Sequence, residues 1–266
     1  PGQRRPSDFH PINIPRGSHV ILDDVTFQDI VGGDHIIYVD GTVEININVD
    51  IVIDNWDRFI HCGPTGRVIW HPKRPATGAW PKVLNEGEFE LADKDSFVGE
   101  VENTGTVTQK EGTIDRVINR KTYYFTGGII NDYRNYGTHH HQGGTVLTAR
   151  NFEGATFNME DGVIDNTDET HKTDTVFVNR GTFNFTGGII RGWGSRLLYH
   201  AKGAKLRIDG GLFDFTHVTD YFIEAHDDFY IRGDYDYKPT KPILLEPKVI
   251  VNILYTLDRN GRVPYD

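Results

Sequence analysis

Short runs of alternating apolar and polar residues, closed every few positions by Gly, Asn, Asp or Thr, fill this chain. His35-Ile-Ile-Tyr-Val39 and Val43-Glu-Ile-Asn-Ile-Asn-Val49 show the period of two that buries one face of a strand. No window of about eleven residues or more holds a helical period. The pattern therefore predicts an all-β chain and argues against strands alternating with crossover helices.

A strand-bend-strand unit repeats. Gly181 to Ile190 (GTFNFTGGII) has relatives at Tyr123 to Ile130 (YYFTGGII), Ala155 to Ile164 (ATFNMEDGVI), Gly105 to Ile114 (GTVTQKEGTI) and Ala204 to Phe213 (AKLRIDGGLF). Self-similarity at a period of about 20 residues marks a solenoid, in which one coil cannot bury its apolar row alone and its neighbours complete the core. A second repeated element, an apolar strand ending in Asn, stands at Asn85, Asn103, Asn119, Asn151 and Asn179, with Tyr199-His200 a looser copy ahead of the last unit. Two readings of these asparagines stand. They are turn residues that tolerate a left-handed backbone, or they point inward and stack into a ladder of amide hydrogen bonds. Neither role is catalytic.

Successive Asn are separated by 18 (85 to 103), 16 (103 to 119), 32 (119 to 151) and 28 (151 to 179) residues. With the short values as the bare coil, the long ones imply insertions, and aligning the strands places these at one corner. They are Asn131 to Gly144, Asp165 to Asp174, Arg191 to Arg196 and Asp214 to Asp220, with His71 to Pro81 at the corresponding place nearer the N-terminus. Loops at one corner of successive coils are expected to merge into one recognition surface. The chain is expected to form a single domain over 1–266, with 1–22 an N-terminal cap or extension and 236–266 closing the other end. Its first and last residues are those expected of a fragment cut from a longer protein.

Composition adjusts this picture in three places. The net charge of −10 makes nucleic acid an unexpected partner at neutral pH. Protonating all 12 His while the carboxylates stay ionised would move the balance from −10 to +2, so the surface is expected to become more cationic in acid. Cys62, the only cysteine, excludes an intramolecular disulfide and reads as a small buried hydrophobe. No apolar run approaches the length of a membrane span, so no membrane insertion is expected.

With the FTGGII and GTFNF rungs in hand, the chain resembles the right-handed parallel β-helix of the pectin-lyase-like superfamily. More specifically, it is similar to the adhesive solenoid domains of cell-wall proteins from lactobacilli and related Gram-positive bacteria. The resemblance covers roughly residues 20 to 255 and rests on structural motifs. It implies a monomeric domain on the bacterial cell surface. Attachment would be to host or plant glycans, mucus or epithelial glycoproteins, including anionic glycans such as glycosaminoglycans. No cofactor is implied.

The same superfamily contains polysaccharide lyases and glycoside hydrolases, which makes an enzyme the alternative. Asn166-Thr167-Asp168 and Asp227-Asp228 resemble polygalacturonase motifs, but Asp168 and Asp227 stand 59 residues apart and no Gly-His-Gly occurs. A lyase-like arrangement would draw acids from Asp165, Asp168, Glu169 and Asp174 and a base from Arg191 or Arg196.

The candidate binding residues lie in the expected corner loops. Trp80, Trp193, Tyr133 and Tyr136 offer rings for stacking on sugar C–H faces, although packing of the loops on the coil is the competing role for each. Arg134, Arg191 and Arg196 supply bidentate donors suited to carboxylate or sulfate. His139, His140, His141 and His171 would add charge in acid. Three consecutive His rarely surround one ion, and Asp227, Asp228, Asp234 and Asp236 lack a calcium-loop pattern, so no metal is expected.

Overall fold

The structure, a computed structural model, describes residues 12–28, 35–52, 58–75, 80–167, 173–214, 216–232, 244–245 and 251–254. All regular elements among them are strands, and the ladders between coils are parallel. The chain is a right-handed parallel β-helix. Its contacts divide it into two compact units, Pro1–Ile130 and Asn131–Asp266.

Among the described residues a coil has up to three strand segments, which define faces A, B and C, and segments of faces C and A often run on as one strand. In the first unit, face A stacks Ile14, Val39, Cys62, Asn85, Asn103 and Asn119 in register. Face B stacks Leu22, Ile45, Trp70, Leu91, Gln109 and Phe125. On face C, Val98 lies over Ile114. In the second unit, face A stacks Asn151, Asn179, His200 and Ala225, and face B stacks His141, Met159, Phe185, Ile208 and Ile231. Face C stacks Val146, Ile164, Ile190 and Phe213.

Period-two alternation drives this arrangement. Thr182-Phe183-Asn184-Phe185 sends both Phe inward and keeps Thr182 and Asn184 at the surface. The inward rings then pack within and between coils, with Phe177 at 4.4 Å from Phe183 in its own coil and Phe185 at 4.8 Å from Phe213 in the next. A buried side chain of this size contributes roughly 1.5 to 3 kcal/mol by leaving water. The bend after face B needs glycine. Gly188 has φ +86°, and a Cβ there would meet the carbonyl oxygen of Gly162 in the coil before it at 2.7 Å.

The asparagines form the inward ladder. Asn103 Nδ2 donates to Asn119 Oδ1 at 2.8 Å and to the Thr122 carbonyl at 2.9 Å, while its Oδ1 accepts from Asn85 Nδ2 at 2.7 Å and from the Gly105 amide at 3.0 Å. In the second unit Asn135 donates to Asn151, and Asn151 to Asn179, each at 2.9 Å. The corner thus satisfies turn carbonyls that would otherwise be buried without partners.

The ladder stops at Asn85, whose Oδ1 has no donor among the described residues. The next position in register is Cys62. Its buried thiol lies 3.6 Å from the Glu88 carbonyl, and burial pushes its pKa up to about 12. Cys62→Asn is expected to extend the ladder, giving Asn85 its missing donor and Glu88 a stronger one. The expected gain is about 1 kcal/mol in urea unfolding. A variant no more stable than the parent would show that the slot cannot take an amide.

At both ends of the described chain the strands continue the stack. Ile12–Ile14 and His19–Leu22 pair with His35–Val39 and Thr42–Ile45 as an ordinary coil. Within 236–266 the described strands, Leu244–Leu245 and Val251–Leu254, likewise continue the parallel ladders. The structure corrects one sequence expectation about elements, that for Asn131 to Gly144. The segment is not an inserted loop, because strands Ile129–Asn135 and Thr138–Asn151 run through it. Asn135 is a ladder residue, so the spacing of 32 is two coils of 16 (119 to 135, 135 to 151).

Candidate functional site

The true insertions sit between face C and face A. In the second unit they follow Asn166, Gly192 and Asp214, and in the first unit one precedes Trp80. Three of the expected binding residues, Arg191, Trp193 and Arg196, meet at this corner of the second unit.

Trp193 is held from three directions. Its amide donates to Asn166 Oδ1 at 2.7 Å and its indole Nε1 donates to the Thr167 carbonyl at 3.0 Å. The ring stacks on the exposed His217 imidazole, with centroids 4.2 Å apart and planes 20° from parallel. Asn166 in turn donates to the Thr173 hydroxyl at 2.8 Å, which ties the two ends of the longest insertion together. Trp193 itself remains half-buried.

Arg191 and Arg196 flank it, each on a carboxylate. Arg191 grips Asp165 Oδ2 through Nε at 2.8 Å and Nη2 at 2.7 Å. Burial alone would raise the Asp165 pKa, but the Thr167 hydroxyl and amide and the Arg191 charge outweigh it and hold the pKa below the usual range. Arg196 bridges Asp174 and Glu224. The Ser195 hydroxyl and Arg196 hold the Asp174 pKa down, and although burial opposes the Arg196 charge, its two carboxylates keep its pKa raised. Among the described residues the corner sets a clamped ring beside two arginine–carboxylate pairs.

The remaining candidates lie elsewhere. Tyr133, His139 and His141 are fully buried inside the coil, which removes them from any contact surface. His139 packs 4.4 Å from Tyr133 and 4.3 Å from Phe157, and it occupies the position that Phe157 and Phe183 fill in the next coils. Burial, with His141 and His140 nearby, drives the His139 pKa well down. Burial takes His141 down to about 4. The expected cationic face in acid therefore loses both residues. His140 points outward on face B, in register with Asn158. Arg134 lies outside the core on face A, bound to Asp132 at 2.9 Å. Tyr136 belongs to the turn between faces A and B, where it stacks on Phe152 at 4.1 Å. His171 lies outside the described residues, as do Asp168, Glu169, Asp234 and Asp236.

Trp80, in the first unit, is 39% exposed, with the Arg74 guanidinium 4.4 Å over its ring and Phe97 edge-on at 5.3 Å. Among the described residues the polygalacturonase-like segments stand at different corners. Asn166 is at the corner between faces C and A, whereas Asp227 binds the Gly203 amide at the corner between A and B. Among the described residues no group of three or more His, Cys, Asp or Glu is placed to hold a metal ion.

Reading the candidates as one loop surface missed the partners that fix the real corner, above all Asp165, Glu224 and Thr167. A signal for the false loop was present. Thr138 to Gly144 (THHHQGG) aligns with Thr122 to Gly128 (TYYFTGG) and Thr182 to Gly188 (TFNFTGG), which puts His139 and His141 at inward positions.

No protein-family model, no curated protein and no solved structure matches this chain. The class defined by the fold is that of a parallel β-helix.

Proposed function

We propose that the chain is a non-catalytic glycan-binding solenoid of the adhesin kind, displayed on a bacterial cell surface, and that it grips its ligand at the corner between faces C and A of the second unit. The observation that carries this reading is Trp193. Its polar atom is satisfied and its ring is clamped between two insertions, so it presents an aromatic surface without first having to be ordered. Arg191, Arg196 and their carboxylates supply donors and acceptors beside it. Trp80 with Arg74 is a smaller aromatic-cation patch of the same chemistry in the first unit.

Host or plant glycans and glycoproteins are the ligand class this chemistry suits, because ring faces take sugar C–H surfaces and fixed ion pairs take hydroxyls. A preference for acid has less support than the histidine count suggests, since His139 and His141 stay neutral inside the coil. A glycan array at pH 7 is the test, run beside an assay for reducing ends and unsaturated uronates released from pectin, hyaluronan and mucin. Retained glycans without released products are expected. Turnover of any of these polymers would defeat the reading.

A further inference from the structure

The corner between faces A and B carries a second feature that owes nothing to the insertions. After Asn179 two residues, Arg180 and Gly181, lead to the next strand. The coil before uses four, Phe152 to Ala155, and the coil after also uses four, Ala201 to Ala204. The long turns project outward, with nothing within 4 Å of where a Cβ would stand on Gly154 or Gly203. A short turn between two long ones leaves a notch. Coils repeat at about 4.8 Å, so the notch is about one layer wide. It forms a cleft of about 560 Å³ lined by Phe152, Glu153, Arg180, Tyr199, Lys202 and Gly203 among others.

Arg180 forms the floor, and it differs from five other arginines of its unit. Arg134 and Arg150 pair with Asp132, Arg191 with Asp165, Arg196 with Asp174 and Arg207 with Asp209. Arg180 is exposed and makes no ion pair among the described residues, and neither does Lys202 on the wall. Glu153, also exposed, faces the same space. Glu153 and Asp227, the latter holding the Gly203 amide and lying near enough to Lys202 to feel its charge, balance part of this, and Arg180 is the cation left for a ligand. The corresponding notch in the first unit has the opposite character. There Asp40-Gly41 is the short turn between Pro15 to Ser18 and Gly63 to Gly66, and Tyr38 fills the space beside Gly63.

We propose that this cleft binds an anionic sugar, one ring carrying a carboxylate or sulfate. Arg180 takes the acid group in a bidentate grip and Lys202 adds charge from the wall. Glu153 accepts sugar hydroxyls, a role a simple anion site would not need. Tyr199 and Phe152 line the remaining space with ring surface, and the slot admits a flat group one layer thick. The site is independent of Trp193, so either can fail without the other.

The test is calorimetric titration at low salt with three probes: trigalacturonate, a sulfated heparin tetrasaccharide and uncharged galactotriose. At least one charged probe is expected to bind, with galactotriose on the order of ten-fold weaker or more. Arg180→Gln is expected to weaken the charged probe by about ten-fold or more, the range for a lost charge-assisted bond, with Arg180→Lys recovering part of it. Ile21→Ala, an exposed change in the first unit, is expected to leave it unchanged. Because Arg180 is exposed, an unchanged melting temperature will show that its variants are folded. Binding of neither charged probe, equal binding of galactotriose, undiminished binding by Arg180→Gln, or inorganic sulfate competing as well as the sugar would each overturn the proposal.

Discussion

Asn103→Ala is expected to destabilise the first unit by about 3 kcal/mol or more in urea unfolding, a large share of the 5 to 15 kcal/mol typical of a domain. The side chain is fully buried and works in both directions along the stack. Its removal takes the donor from Asn119 Oδ1 and from the Gly105 and Thr122 carbonyls, and the acceptor from Asn85 Nδ2 and the Gly105 amide. Several of these groups are buried where water cannot replace the lost partner, and each one orphaned costs about 1 to 3 kcal/mol. Asn184→Ala is the internal control. Asn184 Nδ2 donates to Asn158 Oδ1 at 2.8 Å in the same stacked geometry, but on the outward side of face B, where water is at hand. Its loss is expected to cost less than about 1 kcal/mol. Equal costs for the two variants would mean that burial does not set the ladder's worth.

Acid is expected to weaken the second unit between about pH 6.5 and pH 4. His139 and His141 are held neutral by burial, and their folded pKa values lie below the usual histidine value of about 6.5. Above that value both folded and unfolded states are neutral and the full stability is present. Below it the unfolded chain takes up protons that the folded chain refuses, so stability falls with falling pH until the folded pKa is reached. For His141, with a folded pKa of about 4, the loss is about 3 kcal/mol across the window. His139 acts in the same direction. The carboxylates with lowered values, such as Asp165, lose their contribution only below the ordinary carboxylate range, so they do not blur this window. His139→Phe with His141→Met copies Phe157 and Met159, which stand at those positions one coil on. The double variant is expected to flatten the fall in melting temperature between pH 7 and pH 4.5. A variant that tracks the parent across that range would show that neither imidazole is the cause.

The solenoid was legible because its inward positions repeat. Phe183, Phe157 and Ile190 announce a buried row, and the Gly-Gly bends mark the corners. One coil was misread for a physical reason. Tyr133, Asn135, His139 and His141 put polar atoms inward, so a buried coil carries the composition of a solvated loop. Neutral imidazoles can take the place of Phe and Met inside a strand, and polarity alone does not show it. The corner insertions after Asn166 and Gly192 were legible from spacing. The pairing of Arg191 with Asp165 was not, because the two residues are 26 apart and meet only through the register of their coils. The cleft at Arg180 was hidden similarly, since it depends on the contrast between turn lengths in three coils and on no single motif.

The claim at the centre of this account is that recognition takes place on Trp193 and its charged neighbours. It is tested most directly by titrating the leading array glycan into Trp193→Ala and Tyr136→Ala, with thermal melts to confirm folding. A loss of about ten-fold or more for Trp193→Ala, with Tyr136→Ala binding like the parent, is the result predicted. Full affinity in Trp193→Ala would contradict it and move the binding surface to another part of the coil.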